Sequence, residues 1–270
     1  MYSGSTFRTK SGRMMGVHQR IDRIARRQLA RHVSKKISFP EVRDILHFEG
    51  KNGPDGIKRK SPGVDEPWHF IDPYEHKDTQ LFDMINDHIF NLSIALHEKN
   101  NERASFEAAW LAHAIVDGLT PAHHYPFEEK LEELRGEGME TRNSRKQKLL
   151  MPGNNRRHQI RNNWEFWGTK GVMTTHLAFE FGVASTIATL RFDEIELSDD
   201  EKADARDGKF IESYKQILES VANMNMYEEF TRAGWTRHLA TETKNVLIPY
   251  IIKAVMLGWY AALVMAEKER

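Results

Sequence analysis

The chain has 270 residues, 39 Lys+Arg against 39 Asp+Glu, and no cysteine. That length suffices to bury a substantial core as one large domain, or to make two small ones, and the even charge balance gives no support for a protein built chiefly to bind a polyanion. The missing thiols exclude disulfides, thiolate metal sites and a cysteine nucleophile, which leaves nitrogen and oxygen ligands for any metal.

In chain order, Met1 to Met15 reads polar and basic, with Arg8, Lys10 and Arg13 and no apolar stretch behind them. The expectation is a flexible N-terminal segment over 1–15 rather than a secretory signal, with the cytoplasm as default location and secretion or membrane association left open. From 16 to 270, apolar residues recur three and four apart in Val17 to Val33, Leu81 to Leu96, Phe106 to Val116, Val172 to Leu190, Phe210 to Met226 and Val246 to Met265. Strand-like alternation is scarce, so an all-α, single-domain multi-helix bundle of about seven to nine helices is predicted. Ser105 before Phe106 suits the start of the third helix, and Gly118 with Pro121 marks its exit. Turn-rich breaks fall at Gly50 to Gly63, Pro67 to Pro73 and Met151 to Asn155, and the charged Ser198 to Gly208 run reads as a solvated turn. Val246 to Ala266 is apolar apart from Lys253 and long enough to span a bilayer. Pro249 and Lys253 lie inside it, and a helix in the centre of an all-helical domain is the preferred reading.

The strongest chemical signal is the run from His113 to His123, in which His113 and Asp117 lie one helical turn apart on a single face and can chelate one ion. Gly118 to Pro121 then ends the helix, so that His123 can turn toward a second ion, and the two oxygens of Asp117 could bridge two metals. His176 and Glu180 repeat the spacing in an apolar helix. Asp55, in Gly53-Pro54-Asp55-Gly56, and His69, between Trp68 and Phe70, sit in turn-rich loops; His18 opens the first amphipathic helix. Any one of these, alone, reads as an ordinary structural or surface residue. Asp83, Asp87 and His88 read as surface, and Asp65 is a rival to Asp55.

Taken in order, His18, Asp55, His69, His113-x-x-x-Asp117-x-x-x-Pro121-x-His123 and His176-x-x-x-Glu180 resemble the superfamily of zinc-dependent phospholipases C and single-strand-specific nucleases. The resemblance spans Gly16 to Glu180, and the later helices match only in kind. It implies an all-helical fold of that type with a trinuclear zinc site: Asp55, His69, His113 and Asp117 around one Zn2+, His123, His176 and Glu180 around a second, and Asp117 reaching a third held by His18. In that family the amino group and carbonyl of an N-terminal Trp complete the third ion. No Trp precedes His18 here, so either cleavage near Met14 to Gly16 supplies a terminus, another ligand replaces it, or the site is dinuclear. The segment between His123 and His176 is also longer and more charged than the family pattern.

Clustered divalent ions bring the pKa of a bound water into the neutral range and polarise a phosphoryl oxygen, so no protein nucleophile is required. Asp55, with one oxygen on a metal and the other toward that water, is the candidate general base. Asp72 is a candidate to orient His69, and His124 is expected to face away from the ions. The resulting expectation is a phospholipase C-like phosphodiester hydrolase acting on phospholipid, with peripheral membrane contact. Single-stranded nucleic acid is the alternative substrate the resemblance implies; Arg142 to Lys170, which interleaves basic residues with Trp164, Phe166 and Trp167, reads either as a contact for it or as a solvated helix and loop anchored by its aromatics. A non-catalytic helical metal- or lipid-binding protein is the alternative class. An HD-type phosphohydrolase lacks its His-Asp dipeptide, since Asn86-Asp87-His88 runs in reverse.

Overall fold

The apolar run near the C-terminus forms the axis of the fold. The computed structural model describes Met1 and residues 16–33, 38–60, 70–75 and 78–268. Its helices are α1 (Val17–Leu29), α2 (Val42–His47), α3 (Pro54–Lys60), α4 (Gln80–His97), α5 (Asn101–Gly118), α6 (Phe127–Arg135), α7 (Lys146–Leu149), α8 (Arg156–Trp167), α9 (Val172–Ile187), α10 (Asp199–Arg206), α11 (Phe210–Ala222), α12 (Met226–Ala233), α13 (Arg237–Glu242) and α14 (Ile248–Lys268). No strand occurs among the described residues, and the chain is all-α.

Among the described residues, fourteen α-helices replace the seven to nine expected. The surplus consists of helices such as α2, α3 and α7, of six, seven and four residues, too short for hydrophobic periodicity to mark. The Ser198 run is a further correction. It is the helix α10, started by a capping box in which Ser198 Oγ accepts from Glu201 N–H at 3.2 Å and Glu201 Oε2 from Ser198 N–H at 2.8 Å.

α14 packs against α1, α4, α5, α10 and α11. With the preceding turns it belongs to a 32-residue helical run, Arg237–Lys268, long and apolar enough to cross a membrane; 78% of its most apolar stretch is nonetheless buried inside the protein. Lys253 is tied to Glu201 on α10 at 2.9 Å, which accounts for the one cation in the apolar run. Pro249 lacks an N–H and its ring crowds the carbonyl four residues back, and the run opens into a π turn at Thr243–Leu247 just before it.

α4 and α5 lie side by side, joined through Lys99, whose φ of 59° is in the left-handed region. α5 starts at Asn101, not at Ser105: Asn100 accepts from Arg103 N–H at 3.1 Å, and Ser105 Oγ donates to Asn101 O at 2.6 Å inside the helix. Alanines 104, 108, 109, 112 and 114 let neighbours approach α5 closely, and Trp259 Nε1 donates to Ala108 O at 2.9 Å. Glu107, buried on α5, is met by Arg103 and by His88 Nδ1 at 2.5 Å, so His88 is a structural partner and not a surface residue.

α5 ends where a side chain no longer fits. A Cβ on Gly118 would run into the Tyr214 hydroxyl and a Leu81 methyl. Gly118→Ala is therefore expected to lower stability by about 1–3 kcal/mol, read as a shift of the urea midpoint at unchanged slope.

Candidate metal centre

Five parts of the chain deliver polar side chains to one region. α5 presents His113 and Asp117 from its last two turns, on one face and buried. The chain then turns sharply: Thr120 Oγ1 donates to Val116 O at 2.8 Å, and Pro121–His124 forms one 3-10 turn in which His123 N–H reaches Thr120 O at 2.8 Å. α9 contributes His176 and Glu180, and the first turn of α1 contributes His18. Asp55 sits in the first turn of α3. The loop before it folds tightly, because a Cβ on Gly53 would strike Phe48 O and Glu49 Cα.

Two groups of ligand atoms result, His18, His113 and Asp117 in one, His123, His176 and Glu180 in the other, with the atoms of each within 4.8 Å of one another. Asp117 Oδ1 stands 3.1 Å from His18 Nε2, and Asp117 Oδ2 3.2 Å from His113 Nε2, so its two oxygens address different imidazoles. Glu180 Oε1 is 3.2 Å from His176 Nε2 and 3.3 Å from His123 Nε2. Between the groups lies the amino group of Met1, in contact with Asp117 Oδ1 and 3.3 Å from Glu180 Oε1; Met1 O is 2.8 Å from His18 Nε2. Asp55 Oδ1 is 3.9 Å from His113 Nε2 and is the most exposed member, at 30% of its side chain.

The charges do not balance among protein groups. Four carboxylates are buried here, Asp22, Glu49, Asp117 and Glu180. With protein groups alone, protons make up the deficit. Burial first and then Glu49 push the Asp22 carboxyl well above the usual carboxylate range. Burial works against charge on His113, yet Glu49 and Asp117 outweigh it and lift the imidazole well above 6.5. Likewise Asp117 and Glu180 lift the Met1 ammonium to about 10 against burial. His123 goes the other way, pulled down to about 3 by burial and the Met1 ammonium, and so presents a neutral ring.

These donors fit divalent cations. Ligands about 2.0–2.1 Å from a tetrahedral zinc-like ion stand roughly 3.4 Å apart, close to the imidazole–carboxylate separations here. Four imidazoles among the donors suit such an ion better than Mg2+ or Ca2+, which prefer oxygen alone.

Of the residues singled out in the sequence, His18, Asp55, His113, Asp117, His123, His176 and Glu180 are brought into this region. His69 and Asp65, the rival to Asp55, lie outside the described residues, as does most of segment 1–15. Asp72 Oδ1 accepts from Tyr74 N–H at 2.8 Å and caps a turn. His124 faces Gly118 O at 2.9 Å, with burial lowering its pKa to about 4. Three participants went unread. Glu49 places both oxygens 3.3 Å from His113 Nδ1, fixing the tautomer that leaves Nε2 toward Asp117. Nothing in a short loop marks it. Asp22 lies one turn beyond His18 with no hydrogen-bond partner among the described residues. Its signal was present, since His18-x-x-x-Asp22 repeats the spacing of His113 and Asp117. For Met1 the residue type gave none, because its part is played by main-chain atoms; only the family resemblance, with its terminal amino group and carbonyl beside His18, pointed there.

Two outcomes follow. Glu49→Gln keeps the shape but loses the charge, and should weaken zinc affinity about 10- to 100-fold, measured by competition with a chromogenic chelator. The pH dependence has a definite sign. The raised His113 stabilises the chelator-treated protein fully below 6.5 and less as pH climbs through its folded value, while the depressed Asp117 and Glu180 stabilise it above 3.8 and 4.5 and less as pH falls. Calorimetry of chelator-treated protein should therefore show a melting temperature that declines as pH rises above 6.5, a decline that added zinc suppresses by displacing the His113 proton.

Compared with protein-family models, with curated proteins and with solved structures, the chain matches none.

Proposed function

We propose that the chain is a zinc-dependent phosphodiester hydrolase of phospholipase C-like character. The observation that supports this most is the shared carboxylate: Asp117 turns one oxygen to His18 and Met1 and the other to His113, beside a second imidazole–carboxylate group. His113, Asp117 and Asp55, with His18 and the amino nitrogen and carbonyl oxygen of Met1, would hold cations on one side, and His123, His176 and Glu180 on the other. Clustered cations of this kind supply an acidified water and a polarised phosphoryl oxygen near neutral pH.

The residues themselves would orient and receive protons. Asp55, the member most open to solvent, is placed to accept the proton of an attacking water. Glu49 keeps His113 in one tautomer. Phe70 and Phe127 stack at 5.0 Å beside His123 and His176 and shield that side from water. Phospholipid is favoured over single-stranded nucleic acid because Leu149, Leu150, Ile160 and Trp164 stand exposed on and beside α8, whose Phe166 meets Phe127.

The test combines elemental analysis with turnover. Purified protein should carry two or three zinc-like ions per chain and release phosphocholine from phosphatidylcholine, with chelator abolishing and zinc restoring the reaction. His113→Ala and Asp117→Ala should lose metal content and melting temperature together. Asp55→Asn, which retains a ligating oxygen but not a base, should keep metal and lose roughly 10²-fold or more in kcat. Full metal and activity in the His113 and Asp117 variants would sink the assignment, and digestion of single-stranded DNA without lipid turnover would move the substrate to nucleic acid.

A further inference from the structure

The 142–170 segment carries eight Lys and Arg (142, 145, 146, 148, 156, 157, 161, 170) against one acidic residue, Glu165, a local excess of seven in a chain whose total is zero. It folds on its own small core of Phe127, Leu131, Leu134, Met151 and Phe166. α8 sits on that core through Asn162 and Phe166, four apart and buried, with Asn162 Nδ2 donating to Leu134 O and Pro152 O, each at 2.8 Å. The opposite face is left to solvent. Ile160, Trp164 and Trp167, spaced four and three apart, form one stripe exposed by 63%, 67% and 39%. Trp167 Nε1 donates to Leu149 O at 2.7 Å, which joins the stripe to Leu149 and Leu150, each 56% exposed. On the helical wheel Arg156, Arg157 and Arg161 flank it, Arg161 also pairing with Glu165 at 3.0 Å.

We propose that this α7–α8 face is a docking surface for an anionic phospholipid bilayer. Tryptophans beside aliphatic side chains, rimmed by arginine and lysine, match the interface of an anionic membrane, where indoles settle at headgroup depth and cations meet lipid phosphates. Single-stranded nucleic acid fits less well, because Leu149, Leu150 and Ile160 offer no ring on which a base can stack. The face also borders the candidate centre. Next to Trp167, Phe166 contacts Phe127, whose ring lies 5.7 Å from His176. On the other side Lys148 Nζ donates to Lys58 O at 2.9 Å, on the helix that carries Asp55. Docking there would set the centre against the bilayer. As the source of a substrate, the surface rests on the phosphodiesterase reading; as a membrane contact it does not.

The test is co-sedimentation and tryptophan fluorescence with phosphatidylcholine vesicles, with and without phosphatidylglycerol, alongside hydrolysis of the soluble diester bis(p-nitrophenyl) phosphate. The wild type should bind the anionic vesicles, with a blue-shifted emission and with affinity falling as salt rises. Ile160→Ser/Trp164→Ser and, separately, Arg156→Glu/Arg157→Glu should each weaken binding roughly tenfold or more while preserving helicity and soluble-diester turnover. No binding to anionic vesicles, or binding undiminished in both variants, would overturn the proposal. So would a single-stranded oligonucleotide bound tightly by the wild type, lost in the same variants, with vesicles ignored. Vesicle binding with no turnover of either substrate leaves the surface standing and removes the enzymatic reading. Soluble-diester turnover without vesicle binding does the reverse.

Discussion

The structure depends on how a helix buried along nearly its whole length keeps three ionisable side chains. α5 carries Glu107, His113 and Asp117 into the interior, where an unpaired charge costs several kcal/mol. The first is compensated by neighbours, Arg103 and His88. The other two draw in more polar groups rather than apolar ones: His18 from α1, Glu49 from the loop after α2 and Met1. With Asp22 and Glu180 counted as well, buried carboxylates outnumber the cationic protein groups around this helix end.

The same constraint explains the architecture around α5. Small residues on α5 and the long apolar α14 bring helices close enough for the ligand-bearing ends to meet, while the break after Gly118 turns His123 back instead of letting it continue around the helix. α9 then needs only one face, with His176 and Glu180 a turn apart, to complete the second group.

Much of this was legible in the sequence. Periodicity located six of the seven described helices of twelve or more residues, passing over the basic α8, and turn residues placed the end of α5, because both signals are local and energetically strong. The His113/Asp117 and His176/Glu180 spacings were readable for the same reason: a helix converts sequence distance into a shared face. Failures came where local signals compete or are missing. Ser105 looked like a cap, but Asn100 took the role and Ser105 bonded back to Asn101 O inside the helix. Glu49 became a partner of His113 through tertiary contact alone.

One feature bears on whether a metal cluster here would serve stability or chemistry. A centre kept for structure gains by closing, since every solvent-facing position weakens the hold on the ion. Here His18, His113, Asp117 and Glu49 are sealed, whereas Asp55, at 30% exposure, stands on the rim, and His176 and Glu180 retain a tenth of theirs. Ile160 and Trp164, on the outer face of α8, are likewise costly to leave in water. A protein that needed the cations only to fold would gain by covering both the open carboxylate and the apolar stripe. An open carboxylate at the rim is what a centre that admits a second molecule requires, and a purely structural one does not.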